Sequence, residues 1–317
     1  LGSGINYGTI ETLNIDLGSG ADQFDVTGTS ASTVTRLGTG AGDDAINVSS
    51  DAQTNAGSLD NVLGEIHINA GAGLENSLVV SDFGDLDADI NVQLTANSLT
   101  GLAPGDIYYT ATNGGSFGED VAILFGQGDD VVTVSSIRST DLTILDLNAG
   151  DDQLTLTASV DSGYLDVYGR SGDDVINGSA ASADLVVTGG IGLDTIDGGS
   201  GNDILFGDGA VITRNAISHE VLTVVTDDPS IGDRDQVSGN AGDDVIVGGA
   251  DGDRDTGDGF GGLFGGAGND TILGDSGEVI CNATILLGYD EVDGTVDIVR
   301  SSGETLGGSD LNSGNAD

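Results

Sequence analysis

Nine glycines in this chain are each followed two residues later by aspartate, and each pair leads into a run rich in Val, Ile, Leu and Thr. The glycines are Gly20, Gly42, Gly128, Gly150, Gly172, Gly192, Gly201, Gly242 and Gly268. The acids are Asp22, Asp44, Asp130, Asp152, Asp174, Asp194, Asp203, Asp244 and Asp270; at Gly73 the acid is Glu75. Glycine lets the backbone turn sharply with positive φ, so that carbonyls point inward. Aspartate is the shortest carboxylate and reaches the same point from within the turn. A turn offering both suits Ca2+, which takes about six to eight oxygen ligands from carboxylates and carbonyls. One isolated Gly-x-Asp is an ordinary turn. Nine at regular spacing point to several bound Ca2+ ions.

The spacing defines the elements that position these turns. The step is 22 from Gly20 to Gly42, from Gly128 to Gly150 and from Gly150 to Gly172. It is 20 from Gly172 to Gly192 and 9 from Gly192 to Gly201. A unit of the longer period, with two short alternating strands, makes one coil of a solenoid, and one coil cannot bury its apolar face without neighbours. Stacked coils lie at the ordinary strand spacing of about 4.8 Å. The expected fold is all-β, a parallel β-helix or β-roll solenoid with interrupting β-rich loops. Residues 1–187 form coils of the longer period and 188–317 a shorter-period roll with insertions at 210–237 and 276–311. The Gly-x-Asp turns are expected in a column along one edge. Residues 50–125 are less regular and are expected to hold degenerate coils with a longer excursion. The chain starts inside one repeat-like phrase and stops inside another, so it is expected to belong to a longer protein.

Composition narrows the partners. There are 53 acidic residues against 7 basic ones, a formal net charge of −46. Two carboxylates about 5 Å apart repel by roughly 0.8 kcal/mol even at the dielectric of water. Stacked acids therefore oppose folding unless cations lie between them. Seven arginines offer few phosphate contacts, which argues against nucleic acid and against anionic membrane surfaces. No apolar run is long enough to span a membrane. Hydrophobic residues make up 37% and fall at regular places, which excludes disorder. Cys281 is the only cysteine, so no internal disulfide staples the chain.

From residue 189 the chain reads GGIGLDTID GGSGNDILF, followed later by GNAGDDVIV (239–247), GGADGDRDT (248–256) and GGAGNDTIL (265–273). This Gly-Gly-x-Gly-x-Asp-x-apolar-x phrase resembles the RTX, or haemolysin-type, calcium-binding nonapeptide repeat. The resemblance is close over about 189–209 and 239–275 and loose in the longer coils. It implies that two nonapeptides make one coil, with an ion between the turns of successive coils on one edge. It implies metal ligation by the turns of Gly190, Gly192 and Asp194, and of Gly199, Gly201 and Asp203. Asp194 would sit above Asp174. The turn 248–253 would stack on 265–270, placing Asp253 and Asp270 about one site with carbonyls near Gly249, Gly266 and Gly268. Ile196, Leu205, Ile246 and Ile272 would point into the core. Asp251 stands where a repeat glycine should be, and the unit beginning at Gly207 has no Asp at its sixth position. DGDRDTGD lacks the Gly and Glu of an EF-hand loop.

The expected function is a calcium-stabilised extracellular or cell-surface structural segment of a filament, sheath, stalk or surface layer, non-catalytic. Its expected partners are further copies of itself or other extracellular matrix or surface proteins, with glycans as a further candidate. The alternatives are an adhesin or ligand-binding stalk, and a β-helix polysaccharide lyase or epimerase carrying calcium repeats. Against the last, His67 and His219 have no partner pattern, and no nucleophile elbow, zinc-binding HExxH or phosphate loop is present.

Overall fold

The structure, a computed structural model, describes residues 5, 7, 9–228, 230–250, 262–274, 277–281 and 296–301. The described residues form strands and turns and contain no helix. They fall into two compact units, Leu1–Leu145 and Asp146–Asp317.

In the first unit the chain passes alternately through two sheets. One holds, in spatial order, Thr12–Asp16, Val34–Gly38, Ile66–Asn69, Ile107–Thr110, Ser98–Thr100, Val92–Thr95 and Val131–Val134. The other includes Gln23–Val26, Ala45–Val48, Ser77–Ser81 and Asp120–Leu124. Thr12 pairs in parallel with Val34, and Gln23 with Ala45, the same step of 22 in both sheets (34 − 12 and 45 − 23). One repeat unit is therefore one circuit through both sheets. The irregular stretch lengthens the circuit: Ile66 pairs with Ile107, a step of 41 (107 − 66). The added chain includes Ser98–Thr100, which lies antiparallel between Val92–Thr95 and Ile107–Thr110.

Side chains alternate across each strand, as the period of two requires. Leu37, Ile68 and Tyr109 stack in register inside one sheet, and Ile46, Leu78 and Val121 inside the other. All six are buried. Burial of each of the five aliphatic side chains among them contributes about 1.5–3 kcal/mol.

The second unit repeats the plan with shorter circuits. One sheet holds Gln153–Leu156, Val175–Asn177, Thr195–Gly199, Gln236–Ala241 and Gly262–Ala267; the other holds Tyr164–Ser171, Leu185–Ile191, Ile204–Phe206, Val245–Val247 and Thr271–Leu273. Val175 pairs with Thr195, a step of 20 (195 − 175), and Val186 with Ile204, a step of 18 (204 − 186), which is two nonapeptides. Ile196, Leu205 and Ile246 are buried and Ile272 is half-buried.

The two insertions meet. Ala210–Arg214, Val221–Thr226, Gly277–Cys281 and Val296–Ser301 form one antiparallel four-stranded sheet. Ala210, Val224, Val279 and Cys281 pack on Val186, Ile204, Phe206, Val245, Val247 and Leu273. This cover explains why Ile204–Phe206 and Val245–Val247 are apolar at every position and buried on both faces. Arg214 fixes the cover to the strand beneath it through a buried ion pair with Asp166, 2.5 Å long. Residues 282–295 and 302–311 of the second insertion, and Asp253, lie outside the described residues.

Candidate metal centre

The Gly-x-Asp turns do not share one edge. In the second unit Asp152, Asp174, Asp194 and Asp235 precede strands of one sheet, and Asp203, Asp244 and Asp270 precede strands of the other. In the first unit Asp22 and Asp44 enter one sheet and Asp130 enters the other. The expected single column is thus two columns in each unit; in the second unit a nonapeptide spans half a circuit, so successive copies fall on alternate edges.

Within a column each aspartate has two tasks. Its Oδ1 accepts a backbone N–H from the turn one circuit earlier. Asp22 donates to Asp44 at 2.9 Å, Asp152 to Asp174 at 2.9 Å, Asp174 to Asp194 at 2.8 Å and Asp194 to Asp235 at 2.9 Å. On the other edge Leu185 donates to Asp203 at 2.8 Å, Asp203 to Asp244 at 2.9 Å and Asp244 to Asp270 at 3.2 Å. Asp89 donates to Asp130 at 2.7 Å in the first unit. This ladder holds the turns of neighbouring circuits in register.

The second oxygen is left over. Oδ2 of Asp44, Asp174, Asp194, Asp203 and Asp244 is buried and accepts no hydrogen bond. Burial lifts Asp174, Asp194 and Asp203 from 3.8 to about 7, against the pull of the N–H donor each accepts. Neighbouring carboxylates push the same way: Asp194 on Asp174, and Asp244 on Asp203. Burial lifts Asp130 and Asp244 to about 6. A buried carboxylate oxygen without a partner costs several kcal/mol unless a proton or a cation neutralises it.

The first glycine of each repeat shows how closely the circuits stack. A Cβ built on Gly189 would lie 2.3 Å from Asp194 Oδ2 and 2.1 Å from the Gly207 carbonyl. On Gly169 it would meet Asp174 Oδ2 at 2.5 Å and the Gly189 carbonyl at 2.3 Å, and on Gly239 it would meet Asp244 Oδ2 at 2.1 Å and the Gly265 carbonyl at 2.7 Å. These are clash distances, so no side chain fits there, and the bare Cα lets a carboxylate oxygen and a carbonyl oxygen from the next circuit lie close together. Hard anionic and carbonyl oxygens are the donor set of Ca2+, and the turns fit that ion. The fourth-position glycine has a separate steric cause: Gly192 has φ of 140° and a Cβ there would lie 1.9 Å from the Gly172 carbonyl.

The remaining repeat glycines stack on the circuit before them. Gly190 lies over Arg170, whose carbonyl its Cβ would meet at 2.2 Å, and Gly266 lies over Asn240 in the same way at 2.1 Å. Gly199 and Gly201 face carbonyls of Gly178 and Ala183. Gly268 lies over Gly242. Asp194 sits above Asp174, in line with the expected stacking. Asp270 is a correction: its partner is Asp244, because Val245 pairs with Thr271, a step of 26 (271 − 245), which lays turn 239–244 on turn 265–270. Gly249 packs instead against the Asp208 carboxylate, which also accepts the Ala250 N–H.

Several acids escaped the glycine-based reading. Asp235 takes the rung above Asp194 after a long insertion, with Asp233 where the glycine would be. Its signal was the Asp-x-apolar phrase Asp235-Gln236-Val237 alone. Asp208 is buried against Gly232 and Gly249. Asp82, Asp85 and Asp89 bring carboxylate oxygens within 4.8 Å of one another, with burial lifting Asp82 to about 8 and Asp89 to about 6. Asn76 occupies the rung above Asp44, an amide in place of a carboxylate.

A family model for the RTX calcium-binding nonapeptide repeat matches the chain in four copies, at residues 166–182, 186–210, 232–260 and 263–278. These spans contain Asp174, Asp194, Asp203, Asp235, Asp244 and Asp270. No curated protein and no solved structure matches the chain.

Proposed function

We infer, on the premise that residues 166–278 carry RTX calcium-binding nonapeptide repeats, that the chain is a calcium-stabilised segment of an extracellular structural protein. In this reading the alternating sheets are the coils of a parallel β-helix that shortens into a β-roll. The aspartate columns are its folding switch. The observation that carries the reading is the second carboxylate oxygen of Asp174, Asp194, Asp203 and Asp244, buried without a hydrogen bond near a carbonyl oxygen of the next circuit.

Bound Ca2+ supplies charge neutralisation and a shared oxygen ligand centre. The chain supplies the rest. Oδ1 fixes the side chain through the N–H ladder, so Oδ2 is already aimed. The first glycine, lacking a Cβ, lets the carbonyl of the following circuit come close to Oδ2. Because these groups come together only in the folded coil, ion binding energy is folding energy. Extracellular calcium modules bind at about 0.1–1 mM, so the segment folds where calcium is plentiful and stays loose where it is scarce. The role is non-catalytic. His67 stacks on Tyr108, and the buried His219 packs beside Tyr164 and accepts from Arg214 through its carbonyl; both have structural occupations.

A stalk, filament or surface-layer segment must be rigid, and a filament must self-associate. A calcium titration followed by small-angle scattering and sedimentation tests both. An extended particle that forms only with calcium and then grows with concentration supports an assembling structural segment. A compact particle, or one whose size ignores calcium, sinks the structural reading.

A further inference from the structure

The first unit carries a trough on the outer face of one sheet. In register across three strands stand Arg36, His67 and Tyr108; beside them run Asp16, Gly38 and Asn69. These alternate with the buried Leu37, Ile68 and Tyr109, so both rows face outward. Gly38 has no side chain, and the surface there sinks into a trough of about 530 Å3 lined by both rows. That volume is within the range of small-molecule sites, about 300–1,000 Å3.

The trough is chemically mixed. The His67 and Tyr108 rings stack with centroids 4.9 Å apart and planes at 17°, forming a rigid aromatic wall. Arg138, Arg170 and Arg214 each pair with an aspartate. Arg36, among the described residues, makes no ion pair or hydrogen bond, and its guanidinium offers up to five donors. Asn69 Oδ1 already accepts from the Gly71 N–H and the Thr112 hydroxyl, which leaves its amide to donate. Asp16 brings an exposed carboxylate, an acceptor only.

We propose that this trough binds an uncharged glycan. A sugar hydroxyl both donates and accepts, so it needs donors and acceptors side by side: Arg36 and Asn69 supply the first, Asp16 the second. A pyranose ring also presents C–H faces, for which a rigid aromatic wall is the fitting surface. Polyanions are disfavoured, because the net charge of −46 repels them. A simple cation is disfavoured by Arg36. The site lies outside the matched repeats, and its occupant is independent of the calcium reading.

The test is calorimetric titration of the full chain in saturating calcium with maltohexaose, cellohexaose and chitohexaose, with polygalacturonate as the charged comparison. The decisive variant is Gly38→Val. A Cβ at Gly38 approaches only the Asp16 side chain, at 3.2 Å, and a backbone oxygen at 4.0 Å, so the strand tolerates it while the trough closes. Saturable binding of a neutral hexasaccharide, weakened roughly tenfold or more by Gly38→Val and by Tyr108→Ala with an unchanged circular dichroism spectrum, is the expected result. Binding of none of the three overturns the proposal, as does binding that ignores Gly38→Val. Tighter, Gly38-dependent binding of polygalacturonate overturns its uncharged assignment. Glycan binding that persists when calcium dependence of the repeats fails separates this site from the structural reading.

Discussion

Two rungs of the same kind of ladder solve one problem in opposite ways. At Asn76 in the first unit the side-chain oxygen accepts the Asp44 N–H at 2.9 Å, and the amide nitrogen donates to the carbonyls of Gly73 and Ser116 at 2.8 and 2.7 Å. Every polar atom of that buried side chain is used. At Asp194 in the second unit the first oxygen does the same work for Asp174, but the second has no hydrogen bond. The amide closes its rung with protein groups alone; the carboxylate leaves one oxygen without a hydrogen bond. In the proposed reading a column of aspartates is a fold completed by an external ion, and an asparagine within it is a rung that needs none.

The largest effect expected from probing this comparison is steric and applies with or without calcium. Gly192→Ala would place a Cβ against the Gly172 carbonyl in a backbone region that L residues avoid, and should cost about 3 kcal/mol or more. Thermal melts of the second unit's signal would check it; a loss below about 1 kcal/mol would mean that the circuits are less tightly stacked than described. Next, Asp194→Ala removes the acceptor of a buried N–H and should cost about 1–3 kcal/mol even in chelator. Asp194→Asn keeps that acceptor and imitates Asn76, so it should match or exceed the parent in chelator while losing stabilisation by calcium. Identical behaviour of the Ala and Asn variants would break the two-task description of the column.

The reverse exchange is the sharper one. Asn76→Asp should destabilise the first unit by about 1–3 kcal/mol in chelator, with calcium restoring part of the loss. Denaturant melts with and without calcium measure this, and a loss that calcium leaves untouched would mean the rung cannot accept an ion.

A further effect is one of pH, and its sign depends on the ion. In chelator the folded state holds protons on Asp174, Asp194 and Asp203 up to about pH 7, whereas the unfolded chain releases them near 3.8. The folded state binds more protons across that window, so stability falls as pH rises from about 4 to 7. With calcium the ligands must be deprotonated, and stability should rise over the same window. Melts at both ends of the window, in both conditions, check the crossing; parallel pH dependences would contradict it.

Much of this was legible in the sequence, for identifiable reasons. The step of 22 between Gly20 and Gly42 is the length of one circuit, and the apolar letter two places after each repeat aspartate marks Ile196, Leu205 and Ile246 as inward. Two nonapeptides make the circuit between Val186 and Ile204. The edge on which each turn lies was not legible, because a Gly-x-Asp phrase looks the same entering either sheet. Counting nonapeptides also misassigned the neighbour of Asp270. The circuit there runs from Val245 to Thr271, and repeat letters do not report circuit length. Asp235 was hidden by the missing glycine. The antiparallel sheet joining the insertions depends on pairing strands far apart in sequence, which no local period encodes. The trough over Gly38 arises from cross-strand register, likewise invisible in the linear chain.

The most direct test of the calcium columns is hydrogen exchange, resolved by residue, on the full chain in chelator and in millimolar calcium. The amides of Asp174, Asp194, Asp203 and Asp244 should be protected strongly only with calcium, while the Asp44 amide, held by Asn76, keeps its protection in both. Equal protection of all five amides in chelator and in calcium would contradict the claim that the aspartate columns are closed by the ion.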